Sequence, residues 1–113
     1  MVNAFGVFIA GGLGCLSRYL LGLWILPVMG FSIATLLVNV LGGFLAGIVS
    51  SKLPHLKPIL LAGFLGGFTT FSAFSLECLN LIQNQQIFAA LSYILISVVL
   101  SIAAAWVGCT ISV

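Results

Sequence analysis

Residues 63–75 constrain the fold of this chain more than any other stretch, because they interrupt a helix inside an apolar segment. They read GFLGGFTTFSAFS, with three glycines in the first five positions and then threonines and serines among phenylalanines. Backbone outside a helix is tolerated at membrane depth only where it is buried in protein or lines a watery cavity. A break of this kind in a transmembrane segment indicates an ion or substrate site.

Composition shows that the segments around this break cross a membrane. The 113 residues are 63% hydrophobic and 4% charged, whereas soluble domains carry about 25% charged residues. A spanning helix needs about 20 mostly apolar residues. The sequence therefore predicts an all-α membrane protein, with residues 1–113 as one transmembrane domain whose third helix is broken mid-membrane. We expect the four spans at roughly 3–26, 31–51, 59–82 and 87–111.

The loop between the second and third predicted spans indicates how the chain is oriented. This loop holds Lys52 and Lys57, which are two of the three cationic residues of the chain. The positive-inside rule places this loop, and with it both termini, in the cytoplasm. The bias is small, so insertion in either orientation stays open, and an antiparallel dimer would need both.

Polar side chains within the spans are few, and each is a candidate functional residue because it is costly to place in lipid. Asn39 lies in the middle of the second span. Tyr93, Ser97 and Ser101 recur at every fourth position and therefore share one face of the fourth span. A serine in a membrane helix can also bond to the carbonyl four residues back, which is the alternative for each serine taken alone.

Two phenylalanines follow the break, Phe71 and Phe74, three residues apart. An aromatic ring has a negative face and a positive edge. Ring edges that face a narrow pore would hold a dehydrated anion without trapping it as a fixed charge would. The alternative is that both rings pack against lipid or other helices.

Arg18 and Glu77 are the only charged side chains inside the predicted spans. A proton-coupled exporter requires an acidic residue that faces its substrate, and the first span has no carboxylate. We interpret Glu77 as a helix cap or a partner of Arg18 rather than as a proton carrier. No nucleophile–base pair, metal cluster or phosphate loop is evident, so the sequence predicts neither an enzyme nor a nucleic-acid-binding protein.

Four sequence elements, taken in order, resemble the small fluoride channel family (Fluc, also called CrcB). Residues 11–19 resemble its first-helix GGxxGxxxRY element, residues 35–44 its TLxVNxxGxF element and residues 63–75 its GxxGGxTTFSTFS element. The polar spacing of its last helix is repeated by Tyr93, Ser97 and Ser101. The resemblance covers all four spans, and its third element is specific.

This resemblance implies a passive, fluoride-selective channel that exports fluoride across the plasma (inner) membrane of a bacterium-like cell and so reduces its toxicity. It implies a dual-topology, antiparallel dimer with two pores, formed with a second copy of the chain or with a paralogous subunit. It assigns a structural sodium ion on the dimer axis to the backbone carbonyls of Gly66 and Thr69. It assigns the fluoride pathway, with Arg18 anchoring its vestibule end, to Arg18, Asn39, Phe71, Phe74, Tyr93, Ser97 and Ser101.

Ala73 departs from the family pattern, which usually has threonine at this position. The missing hydroxyl leaves open whether this subunit forms a complete pore alone. Two other classes of protein remain as alternatives. A small four-helix multidrug exporter predicts an acidic residue in the first helix, and a non-conducting helper subunit has Ala73 as its only support.

Overall fold

All secondary structure among the described residues of the computed structural model is helical. The structure describes the backbone of residues 2–29 and 31–111, and the side chains of residues 4–24 and 33–111. Gly30, which the sequence places in the first connection, lies outside the described residues. In chain order the elements are α1 (Val2–Met29), α2 (Phe31–Lys52), a 3₁₀ helix (Pro54–Leu56), a π-helix (Pro58–Leu65), α3 (Gly66–Phe68), α4 (Phe71–Gln83) and α5 (Ile87–Thr110).

Four segments are long and apolar enough to cross a bilayer. They are Ala4–Trp24, Ile33–Lys52, Pro58–Gln83 and Ile87–Thr110. Large apolar side chains cover much of the outer surface, as lipid contact requires; Phe88, for example, is 86% exposed. The prediction of an all-helical membrane protein with four apolar spans is therefore confirmed.

The third of these segments changes helical geometry twice. Its first part is the π-helix that begins at Pro58, and π turns often occur at functional sites. After the single turn of α3, Thr69 and Thr70 take extended backbone conformations. Regular helix resumes at Phe71. The sequence did not predict the π-helix, which extends into residues 63–65.

Close backbone contacts hold the segments together in two pairs. In the first pair α2 packs against α5, and a Cβ built on Gly47 would overlap the carbonyl of Ala105. In the second pair α1 packs against the first half of the third segment, and a Cβ on Gly14 would overlap the carbonyl of Phe64. Both contacts depend on residues without side chains, as is usual for helices that pack in lipid.

Each pair consists of helices that run in the same direction. Gly43 faces Ser101 and Gly47 faces Ala105, so residue numbers rise together along α2 and α5. Gly6 likewise faces Ile59, while Gly67 approaches the carbonyl of Gly11. The first span is thus paired with the third, and the second with the fourth. The GxxxG motif at residues 43–47 lies at the contact between α2 and α5.

A tight turn connects α4 to α5 and brings these two helices side by side. Gln85 has a positive φ of 61°, and the amide of Gln86 donates to the carbonyl of Leu81 at 2.8 Å. Apolar contacts then join Phe74 and Cys78 of α4 to Tyr93 of α5 in one buried cluster. The turn therefore places the residues after the break against the polar face of α5.

A methyl group at Gly47 tests the α2–α5 contact. We expect Gly47→Ala to destabilise the folded protein by about 1–3 kcal/mol, because a side chain there must displace the backbone of α5. Gly22→Ala is the matched control, since a Cβ at Gly22 meets nothing within 4 Å. Thermal unfolding in detergent gives the comparison, and equal midpoints for the two variants would refute the contact.

Candidate functional site

A cavity of about 490 Å³ lies between α2, the interruption of the third segment and α5. Small residues of α2, among them Gly42, Gly43 and Ala46, leave room for it. Polar and aromatic side chains from three separate elements converge on it: Asn39, Thr70, Phe71, Phe74, Ser97 and Ser101. The wall is otherwise mostly apolar, so the few polar atoms decide what the cavity can bind.

Ser97 has the most unusual environment of the residues around this cavity. It is 6% exposed, and its hydroxyl oxygen has no hydrogen-bond partner among the described residues. A buried polar group without a partner costs about 1–3 kcal/mol. Bonding to the carbonyl four residues back, the alternative considered from the sequence, does not occur here. The Ser97 hydroxyl is therefore available to a ligand in the cavity.

The two phenylalanines after the break have different environments. Phe74 is 8% exposed, whereas Phe71 is 76% exposed. Their ring centroids are 5.5 Å apart with planes inclined at 45°. Phe74 also packs against Tyr93 at 5.2 Å, again with inclined planes. Phe74 is thus held in a fixed orientation at the cavity wall, and the ring of Phe71 extends outward from the subunit.

Tyr93 is buried on the same face of α5 as Ser97, but its hydroxyl points to another group. It donates to Glu77 Oε1 at 2.5 Å, and Thr35 Oγ1 donates to Glu77 Oε2 at 2.7 Å. Hydrogen bonds to a carboxylate are about twice as strong as neutral ones. These two hydroxyls thus replace part of the hydration that Glu77 would lose inside a membrane.

The interpretation of Glu77 as a helix cap or a partner of Arg18 was wrong. Glu77 lies in the middle of α4 (Phe71–Gln83) rather than at an end. Among the described residues, its carboxylate bonds to Thr35 and Tyr93, whereas Arg18 Nε donates to the carbonyl of Gly67 at 3.4 Å. The pairing depends on helix rotations that the sequence alone does not specify.

A second cavity, of about 210 Å³, lies on the opposite side of the interruption. Arg18, Thr35, Ala73 and Glu77 line it together with Thr70. Thr70 also lines the first cavity, so the extended residues form a wall between the two. Arg18 is consequently separated from the predicted pore residues that line the first cavity, and Ala73 lies at the second cavity rather than the first.

Contacts from α2 reach the extended residues directly. Asn39 Nδ2 donates to the carbonyl of Thr70 at 3.1 Å, and the amide of Thr70 donates to Asn39 Oδ1 at 2.9 Å. One turn further along α2, a side chain at Gly42 would overlap the methyl group of Thr69. The second span therefore holds both residues of the interruption.

The backbone oxygens of Gly66 and Thr69 have lost their usual helical partners. The amide four residues after Gly66 belongs to Thr70 and donates to Asn39. The amide four residues after Thr69 belongs to Ala73 and donates to the Thr70 hydroxyl at 3.2 Å. Carbonyl oxygens released in this way suit a hard cation, which prefers oxygen ligands. Gly66 and Thr69 both line the first cavity.

The structure brings some of the residues predicted from the sequence together and separates others. Five of the predicted residues line the first cavity: Asn39, Phe71, Phe74, Ser97 and Ser101. Of the other two, Arg18 lies at the second cavity and Tyr93 donates to Glu77. Thr35 was missed. Its position four residues before Asn39, on the same face of α2, is the signal that could have indicated it.

Comparison with known proteins gives a consistent result. The sequence matches the model of a family described as CrcB-like protein, camphor resistance (CrcB), over residues 5–109. It is 45% identical to the fluoride-specific ion channel FluC of Hahella chejuensis, over 90% of this chain and 87% of that protein. It is 41% identical to the FluC of Rhizobium etli, over 98% and 96% of the two chains. Identity to the FluC of Coxiella burnetii is 40%, over 95% and 94%.

The bond between Tyr93 and Glu77 is open to a direct test. We expect Tyr93→Phe to destabilise the fold by about 1.5–3 kcal/mol, because it removes a hydrogen bond to a carboxylate and keeps the ring. Tyr19→Phe is the matched control, since Tyr19 is 60% exposed. Unfolding in detergent measures both variants, and a Tyr93→Phe protein as stable as the control would show that the bond contributes nothing.

Proposed function

Because the chain belongs to the CrcB family and is a multi-pass membrane protein, we propose that it is a passive fluoride-selective ion channel. The relatives reported above carry the name of a channel rather than of an enzyme, which agrees with the absence of a catalytic pattern in the sequence. In this proposal the whole of residues 1–113 acts as one transmembrane domain, and fluoride moves down its gradient out of the cell.

The observation that carries the proposal is the buried Ser97 hydroxyl at the first cavity. Fluoride is small and strongly hydrated, so a pore must replace its water with hydrogen-bond donors. Ser97 and Ser101 can supply hydroxyl donors. Asn39 Nδ2 has one N–H left after it bonds to Thr70. Among the described residues no lysine or arginine lines this cavity, so an anion would be held by neutral donors weak enough to release it.

Phe71 and Phe74 supply the aromatic part of the proposed path. The inclined packing of Phe74 on Phe71 and Tyr93 fixes which part of the ring the cavity meets. The positive ring edge attracts an anion without carrying a full charge. Tyr93 then marks the end of the path next to Glu77, where an anion competes with the carboxylate for the phenol proton. Arg18 anchors the vestibule at the second cavity.

We also propose a structural sodium ion, held by the carbonyl oxygens of Gly66 and Thr69 and not transported. The support is that both carbonyls have lost their helical partners within an apolar span. A cation bound there would raise the local electrostatic potential and favour an anion in the neighbouring cavity. Two carbonyls are too few for a hard cation, so a second subunit would complete the ligands.

The need for more oxygen ligands around the sodium ion also supports a dimer. We propose an antiparallel, dual-topology dimer in which the break of the third span lies mid-membrane and the sodium ion lies on the axis. Each half would contribute to two parallel pores, and the exposed ring of Phe71 would find its contacts there. The site of action is the plasma membrane of a bacterial cell. The partner is a second copy or a paralogous subunit, depending on whether Ala73 is compatible with a complete pore.

Fluoride efflux from liposomes that contain this chain alone tests function and self-sufficiency together. We expect fast fluoride efflux and hardly any chloride efflux, measured with ion-selective electrodes. Equal efflux of both ions would contradict a fluoride channel. If fluoride passes only after a paralogous subunit is added, the chain acts as half of a heterodimer.

Ser97→Ala tests the hydroxyl that carries the proposal. Losing one donor to the ion is worth about 1–1.5 kcal/mol, so we expect fluoride efflux to slow by roughly tenfold. Ser92→Ala is the matched control, because Ser92 lies on the exposed side of the same helix. The two variants are compared in the same efflux assay at equal protein density. Identical rates would remove Ser97 from the pathway.

A further inference from the structure

The amide of Asn39 is bonded in a way that a simple pore-lining donor does not require. It bonds twice to one residue, giving Nδ2–H to the Thr70 carbonyl at 3.1 Å and accepting the Thr70 N–H on Oδ1 at 2.9 Å. A carboxamide has the same donor and acceptor as a peptide group. Asn39 therefore pairs with Thr70 as a neighbouring strand would.

The conformation of Thr70 explains why one side chain can make both bonds. Its φ of −146° and ψ of 121° are close to those of an antiparallel strand. In such a pair, two residues that face each other exchange both of their N–H···O bonds. The bilayer core contains no water that could bond these backbone groups, so the protein must supply the partner itself.

The position of Asn39 on α2 supports this assignment. Gly42 lies on the same face of the helix, three residues on, and lets the methyl group of Thr69 approach the backbone. The Thr69 amide and hydroxyl both bond to the carbonyl of Leu65 at 3.0 Å. Thr69 is thus fixed from one side and Thr70 from the other, with Asn39 as the only side chain outside the third span that bonds Thr70 in the described chain.

We propose that Asn39 is a positioning residue that holds Thr70 extended and thereby keeps the Gly66 carbonyl free. Without Asn39, the Thr70 N–H would regain the Gly66 carbonyl as its i−4 acceptor, and the interruption would close toward a continuous helix. The use of that freed carbonyl by a sodium ion rests on the proposed function. The holding of Thr70 does not.

Amide hydrogen exchange at Thr70, measured by NMR on the full chain in nanodiscs, tests the role of Asn39. In the wild-type protein we expect the Thr70 amide to be protected, although it lies outside any helix. Asn39→Leu, which removes both bonds at similar size, should move the Thr70 backbone chemical shifts in the same spectra from extended toward helical values, because the amide then returns to the Gly66 carbonyl. Ser97→Ala is the control, because it alters the same cavity without touching Thr70.

A second readout is the shift of the melting midpoint when sodium chloride replaces choline chloride. We expect this shift in the wild-type and Ser97→Ala proteins and its loss in Asn39→Leu. Wild-type Thr70 exchange as fast as that of the exposed residue His55 would overturn the proposal, even if Asn39→Leu does not fold. Thr70 chemical shifts that stay at extended values in Asn39→Leu would overturn it as well. A wild-type protein without a sodium shift would contradict the sodium site, while Thr70 exchange would still decide the role of Asn39.

Discussion

Backbone amides and carbonyls that leave a helix inside a bilayer must be bonded by the protein, and the rest of this structure is organised around that requirement. The residues concerned are Thr69 and Thr70, which are extended between α3 and α4. Their partners are the Leu65 carbonyl, Asn39 and, for the start of α4, the Thr70 hydroxyl. The bonds of Thr70 also fix the wall between the two cavities, because Thr70 lines both of them. The same hydrogen bonds therefore stabilise the interruption and shape the cavities.

Residues without side chains determine where the cavities lie. At Gly47 and Gly108 the backbones of α2 and α5 come into direct contact. Nearer Asn39, Gly42 and Gly43 line the first cavity, and a Cβ on Gly43 would still meet the carbonyl of Ser101 in α5. Close helix packing and open space thus come from one row of small residues, with the difference set by what faces each of them.

Much of the fold followed from the sequence, because hydropathy and segment length are local properties. The four apolar spans were predicted from such local patterns. The polar spacing on α5 also led to Ser97 and Ser101, which do line the first cavity. Placing them there required only that one helical face be buried.

What sequence reasoning missed depends on how helices are rotated against one another. Tyr93 has the same spacing as the two serines, yet its hydroxyl donates to Glu77 because α4 folds back beside α5. Glu77 pairs with Thr35 rather than Arg18 for the same reason. The π-helix at Pro58–Leu65 is a further case, since no residue pattern distinguishes it from the α-helix that the apolar run predicts. These features are tertiary, and single-sequence periodicity does not contain them.

The pairing of alternate spans has a consequence for synthesis. The glycine face of α1 packs against a segment about fifty residues later in the chain, which begins at Pro58. The separation between the contacting residues of α2 and α5 is similar. A ribosome adds roughly 5–20 residues each second, so each early helix spends several seconds in the bilayer with its contact face toward lipid. The native arrangement therefore depends on both early helices remaining monomeric until the later ones arrive. The fourth span completes the second pair.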